Sequence, residues 1–162
     1  MLLLRYVDPR EASVFAVGLS DSTNAADRKA AIGALQDLRT SESAKALIRR
    51  AANDIDLDLR QRAIVGLGKL LAQPSPDAPA YQASVLESLR GYTQPLNEPQ
   101  IRSAAWDAMS YPRSLSPDDQ KLIRDALHSE KDRTVLKSVE NAYRHQTARS
   151  AAQGLKPEPP PK

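Results

Sequence analysis

Asp54, Asp56 and Asp58 alternate along the chain, a carboxylate spacing that can gather around a calcium ion. A calcium loop starting at Asp54 needs glycine at its sixth place and a bidentate acid at its twelfth. Leu59 and Val65 occupy those places and Arg60 adds a repelling charge. The three acids therefore read as a turn followed by the negative residues favoured at a helix N-terminus. His128 and His145 are the only histidines, 17 residues apart. A zinc site takes three or four protein ligands, and no acid cluster accompanies this pair. With no cysteine in the chain, disulfides and thiolate metal sites are excluded. Gly66 and Gly68 fall inside a helical pattern, where small residues let helices approach, and form no phosphate loop. No Ser-His-Asp or Ser-Lys constellation is defensible from spacing. The expectation is a protein without catalytic residues, cofactor or metal.

The elements that would position any site are legible as a repeat. A doublet of large apolar residues recurs at Val14-Phe15, Leu47-Ile48, Val85-Leu86 and Leu122-Ile123, 33, 38 and 37 residues apart. A second phrase, centred on Ala31, Ala63, Ala105 and Val139, follows each doublet by 16 to 20 residues. Such a period marks stacked supersecondary units. Leu59, Ala63, Leu67 and Leu70 show the i, i+4, i+8, i+11 spacing of one buried helical stripe. Only seven residues are aromatic among 41% hydrophobic ones, a palette suited to close-packed helices rather than a β-sandwich. The twelve prolines cluster between helical stretches, where they punctuate rather than break them.

Start signals agree. Asn24, Thr40 or Ser41, and Ser116 followed by Pro117 are cap candidates, and Asn97 with Gln100 has capping-box spacing. The pattern predicts helices near 9–19, 25–38, 42–53, 57–71, 80–92, 98–109, 117–128 and 132–150. Short connections force neighbours antiparallel. The expected organisation is a stub or linker at 1–8, a repeat domain at 9–152 (hairpins 9–38, 42–71, 80–109 and 117–150) and a disordered proline-rich tail at 153–162. The opening Met-Leu-Leu-Leu is too short for a secretory signal or a membrane span. Membrane insertion is not expected, and no address can be read beyond a cytoplasmic default.

Asp58-Leu59-Arg60-Gln61-Arg62-Ala63-Ile64-Val65-Gly66-Leu67-Gly68-Lys69-Leu70 resembles the second helix of a HEAT repeat, in the short bacterial form related to phycobilisome-lyase repeats. Asp27 to Leu35 and Ile101 to Trp106 resemble it too, whereas Leu136 stands in the arginine's place in the fourth copy. Over about residues 10–150 the resemblance implies an all-α, right-handed α-solenoid of about four HEAT-like hairpins. It further implies a structural ladder in which Arg28 and Arg60 pair with Asp21 and Asp54 of the turn before each. Arg102 lacks such an acid, because Tyr92 occupies that turn.

Some HEAT-like proteins are DNA glycosylases with tryptophan and aspartate in a basic groove, which directs attention to Trp106-Asp107. Trp106, however, aligns with Ile32 and Ile64 and so reads as a packing residue. The second helices, which line the concave face in this family, carry a modest excess of basic over acidic residues within a chain of net charge +3. Lys29, Arg62, Lys69, Lys137, Arg144 and Arg149 are the candidate contact residues. The leading expectation is a non-catalytic interaction scaffold, binding another protein or another domain of a larger bacterial parent chain on its concave face. Nucleic-acid binding through a mildly basic face is the alternative, and a glycosylase- or lyase-type enzyme the third reading.

Overall fold

The computed structural model describes residues 8–72, 75–113 and 115–152. All but Asp8 of the expected stub, and the whole expected tail at 153–162, lie outside the described residues. Among the described residues eight helices follow one another: α1 Pro9–Ser20, α2 Ala25–Leu38, α3 Ser41–Asn53, α4 Leu57–Ala72, α5 Ala78–Tyr92, α6 Pro99–Met109, α7 Pro117–Ser129 and α8 Arg133–Ala152.

Local chemistry accounts for most starts. The Asn24 side chain accepts from the Ala26 N–H, Thr40 from Ser43, and Ser116 from Asp119. Each satisfies a donor that the first helical turn leaves without a partner. The capping box at α6 does not form. Glu98 is the N-cap and makes no side-chain cap bond. Asn97 Nδ2 instead donates to the Gly91 and Gln94 carbonyls, at 2.9 and 3.3 Å, and holds the preceding turn. Ser116→Ala is expected to cost about 1 kcal/mol, read as a lower urea midpoint at unchanged slope. An unchanged midpoint would show that Pro117 alone sets that helix start.

The helices pair as four hairpins in two layers. In the inner layer α2, α4, α6 and α8 pack in succession; in the outer layer α1, α3 and α5 do so, while α7 rests on α8. The apolar stripes meet between the layers, where Leu35, Leu47, Ile64, Leu67, Val85, Ile101, Met109, Ile123 and Val139 are sealed from solvent. The fold is a HEAT-like α-solenoid. Its first doublet departs from the pattern: Leu47, Val85 and Ile123 are buried, yet Val14 and Phe15 stay 71% and 69% exposed. α1 turns Ala12, Ser13 and Ala16 inward instead, with Ser13 Oγ 2.8 Å from Thr40 Oγ1.

Gly68 permits a close approach between two successive helices of the inner layer. A Cβ on it would lie 2.5 Å from the Ala108 carbonyl oxygen and 2.7 Å from the Ala108 Cα. Backbone of α4 and α6 is therefore in direct contact, which any larger residue would prevent.

Arginines bind successive units, but in the opposite direction from the expected ladder. Arg28 donates to both carboxylate oxygens of Asp54, at 2.9 and 3.1 Å, and to the carbonyls of Ser22 and Thr23. Arg102 likewise grips Glu130 at 3.1 and 3.0 Å and the Asn97 carbonyl at 2.7 Å. Arg60 donates to the Ala51 carbonyl at 3.1 Å and stands 3.8 Å from Glu98. Arg28 and Arg102 thus tie their own preceding turn, and Arg60 the last turn of α3, to an acid of the following unit. Asp21 does not meet Arg28; it pairs with Arg49 at 2.8 Å and Arg50 at 3.3 Å of α3. The reason is geometric: stacking sets the start of one inner helix beside the turn of the next hairpin. Glu98 and Glu130, rather than Tyr92 and Ser129, supply the acids of the later units. A further ion pair, Arg90 Nε to Asp119 Oδ1 at 2.6 Å, spans α5 and α7.

Candidate functional site

The inner helices leave a groove of about 760 Å³ on the concave side. Equivalent positions of successive helices form its rows. Lys29, Gln61 and Ser103 make one row, and Gly33, Val65 and Asp107 another. The repeat presents the same two positions on α2, α4 and α6, so the walls are built by sequence changes at fixed places.

Of the six candidate contact residues, Lys29, Arg62 and Lys69 line this groove and Lys137, Arg144 and Arg149 do not. Lys137 is exposed on α8 outside it. Arg144 is exposed and donates to Asn141 Oδ1 at 3.1 Å. Arg149 is a structural residue. Its Nη1 donates to the carbonyls of Ser110 and Pro112, both at 2.6 Å, and of Tyr111 at 3.1 Å. Gln146 Nε2 joins it by donating to the Met109 and Pro112 carbonyls at 3.1 and 3.2 Å. These α8 side chains satisfy carbonyls left over at the end of α6, where cations are favoured. Sequence reading missed them because the partners lie 34 to 39 residues away.

The groove carries charge of both signs. Asp58, Asp107 and Asp132 line the groove along with the three cations. Helix sums count charges that point elsewhere, whereas the groove collects only one side of each helix. Arg62 Nε is 2.6 Å from Asp58 Oδ2 within α4. Asp132 Oδ1 accepts from the Thr134 and Val135 N–H groups at 2.8 and 3.1 Å, capping α8. Among the described residues neither Lys29 nor Asp107 has an ion-pair partner.

Asp107 is half-buried in the groove wall. Burial pushes its carboxyl above the ordinary range, and the Ser138 hydroxyl bonded toward it offsets this only in part. The Ser138 hydroxyl is also 2.8 Å from that of Ser103. Asp54, Asp119 and Glu130 behave oppositely. Burial is the largest influence on each and raises it, but the hydrogen bonds and charges of Arg28, Arg90 and Arg102, together with nearby N–H and hydroxyl donors, outweigh it and hold all three below the usual range.

Trp106 and Asp107 do not form one site. Adjacent helical residues point about 100° apart. Trp106 is 2% exposed, packed in the core with Ile32 and Ile64, and its Nε1 is buried without a hydrogen-bond partner. It borders a separate cleft of about 500 Å³ behind the groove, beside Arg102, Glu130 and α7. Asp54, Asp56 and Asp58 form the expected turn: Asp54 Oδ1 accepts from the Asp56 N–H and Asp56 Oδ1 from the Asp58 N–H, at 3.0 and 2.9 Å. Among the described residues no three His, Cys, Asp or Glu side chains gather as metal ligands, and no helix is long and apolar enough to cross a membrane.

No protein-family model matches the chain, and no curated protein does either. Solved structures share its fold. One is a chain in the complex of CpcE and CpcF of phycocyanin lyase from Nostoc sp. PCC7120, with a TM-score of 0.63 and 24% identity over 85% of this chain and 92% of that one. An engineered protein gives 0.56 and 19% identity over 85% of this chain and 63% of its own. The first likeness bears out the HEAT-like, phycobilisome-lyase-type architecture. It overturns the expectation that the chain is not an enzyme, because that expectation took the helical-hairpin fold as a scaffold and the same fold stands within a lyase.

Proposed function

We propose that this chain is a HEAT-like partner-binding subunit that holds a segment of another protein in its concave groove. The observation that carries the reading is the groove itself: about 760 Å³, walled by α2, α4 and α6, with polar and charged side chains converging around Val65 and Ala104. A stack of hairpins provides an extended concave surface of this kind as a consequence of its curvature. Two further facts support a protein as the partner. The Nostoc likeness is to a chain in a complex of two proteins. On the outer side Val14 and Phe15 expose adjacent apolar surface, the kind of feature that protein contacts cover. The balanced charge of the groove supports a peptide more than a nucleic-acid backbone, which draws its affinity from cations. The kinship in fold with a lyase chain extends the reading to assemblies that do chemistry, in which this subunit presents the bound protein.

Val65→Arg tests the reading by filling the groove centre with a long cation. Proteins retained from cell extract by the immobilised wild-type chain are expected to be lost by more than 10-fold from the variant, with its melting temperature unchanged. Undiminished retention would overturn the groove as the contact surface. Loss with Phe15→Ser instead would move that surface to α1.

A further inference from the structure

Resting on the groove reading above, we propose which segment the groove takes: an extended stretch of a partner protein with a lysine or arginine seated at Asp107 and an acidic residue at Lys29. The two charges of that stretch stand about five or six residues apart. The spacing follows from the stack. Packed helix axes lie about 8–10 Å apart, and Lys29 on α2 is two helices from Asp107 on α6. The span is therefore roughly 16–20 Å, which an extended chain covers at about 3.3 Å per residue.

The choice of a basic group at Asp107 comes from comparison within the chain. The buried acids of the stack each have an arginine: Asp54 has Arg28, Asp119 has Arg90 and Glu130 has Arg102. Asp107 is half-buried and has only the Ser138 hydroxyl. A carboxylate withdrawn from water without a cation is uncompensated. An incoming ammonium or guanidinium supplies what the fold withholds, and the Ser103 hydroxyl, which lines the same groove wall, offers a further acceptor for its N–H groups. Arg62 is occupied by Asp58 and Asp132 by the start of α8; of the two remaining groove cations, Lys29 and Lys69, Lys29 stands two helices from Asp107 and forms the opposite pole of the span. Opposite charges at fixed separation select a register as well as a partner, because the reversed or shifted segment places like charges together.

The test uses a phage library of random dodecapeptides selected on the full chain and, in parallel, on Asp107→Asn, an isosteric change that retains hydrogen bonding. Wild-type selections are expected to enrich Lys or Arg five or six places from Asp or Glu. Asp107→Asn is expected to lose the basic position while keeping the acidic one, and to bind the selected peptides at least 10-fold more weakly. Identical selections on both targets, acidic sequences alone, or no enrichment at all would each overturn the proposal. Val65→Arg separates the two readings. Peptides lost on Val65→Arg but unaffected by Asp107→Asn would leave the groove standing and remove Asp107 as its anchor; peptides indifferent to both would remove the groove as well.

Discussion

Asp54→Ala is expected to lower the melting temperature by roughly 10 °C or more. Its carboxylate is sealed, with side-chain exposure of 0% against 6% for Arg28. Removing it leaves the Arg28 guanidinium buried beside an empty space, still bonded to the Ser22 and Thr23 carbonyls but with no counter-charge within the pair. Loss of one partner of a buried pair costs far more than the pair contributes, because the desolvated survivor cannot regain water. Asp54 also accepts the Asp56 N–H, so the turn into α4 loosens with it. Thermal unfolding followed by circular dichroism reads the shift. A change of under about 3 °C would show that this junction is solvated and that the ladder adds little.

The same carboxylate gives the fold an acid limit. Burial raises Asp54, but the Arg28 hydrogen bond, the Asp56 N–H and the charges of Arg28 and Arg50 outweigh it and depress the group. Its contribution is therefore fully present above the unfolded value near 4 and is lost as pH falls through the lower, folded value. Asp119 and Glu130 are depressed in the same sense. Stability should hold down to about pH 4 and fall steeply below it, and Asp54→Ala should flatten that fall. A variant with the wild-type acid profile would remove Asp54 as a contributor.

Gly68→Ala is expected to destabilise the chain by about 2 kcal/mol, although alanine is the better helix former by about 1 kcal/mol. The new methyl would sit 2.5 Å from a backbone oxygen of Ala108, where ordinary contact is about 3.5 Å. No flexible side-chain tip is available to yield, so α4 and α6 must part by about 1 Å and loosen the packing on either side. Gly33→Ala supplies the control, since nothing lies within 4 Å of a Cβ there; it should stabilise by about 0.5–1 kcal/mol. If both changes stabilise alike in urea, α4 and α6 are not in backbone contact.

The legible parts of the chain were those whose causes are local. The caps at Asn24, Thr40 and Ser116, the proline after Ser116 and the stripes through Ala63 and Ala105 act over a few residues, and each lies where sequence reading expects it. Trp106 was legible too, because the repeat supplies an internal alignment that sets it beside Ile32 and Ile64. The α6 capping box failed because Asn97 had a competing use that spacing does not reveal. The Val14-Phe15 doublet failed because burial of an apolar pair needs a neighbour of the right phase, and α1 turns other residues inward.

The candidate site was less legible, for a physical reason. Charge sums per helix are blind to rotation, and α8 directs Arg149 to the end of α6 while Lys137 stands outside the groove. The arginines of the ladder were visible as residue types at repeating places, but their acids come from the next unit, 26 and 28 residues on for Arg28 and Arg102.

The sequence by itself determined that this is a stack of paired helices, because caps and 3.6-residue periodicity are decided within a turn or two of the chain. Only the tertiary structure decided that Asp107 faces the groove with no ion-pair partner among the described residues, that Gly68 meets the Ala108 backbone and that Arg28 reaches forward to Asp54. Those outcomes depend on how closely and at what rotation one helix lies against the next, and that is set by packing among side chains distant in sequence.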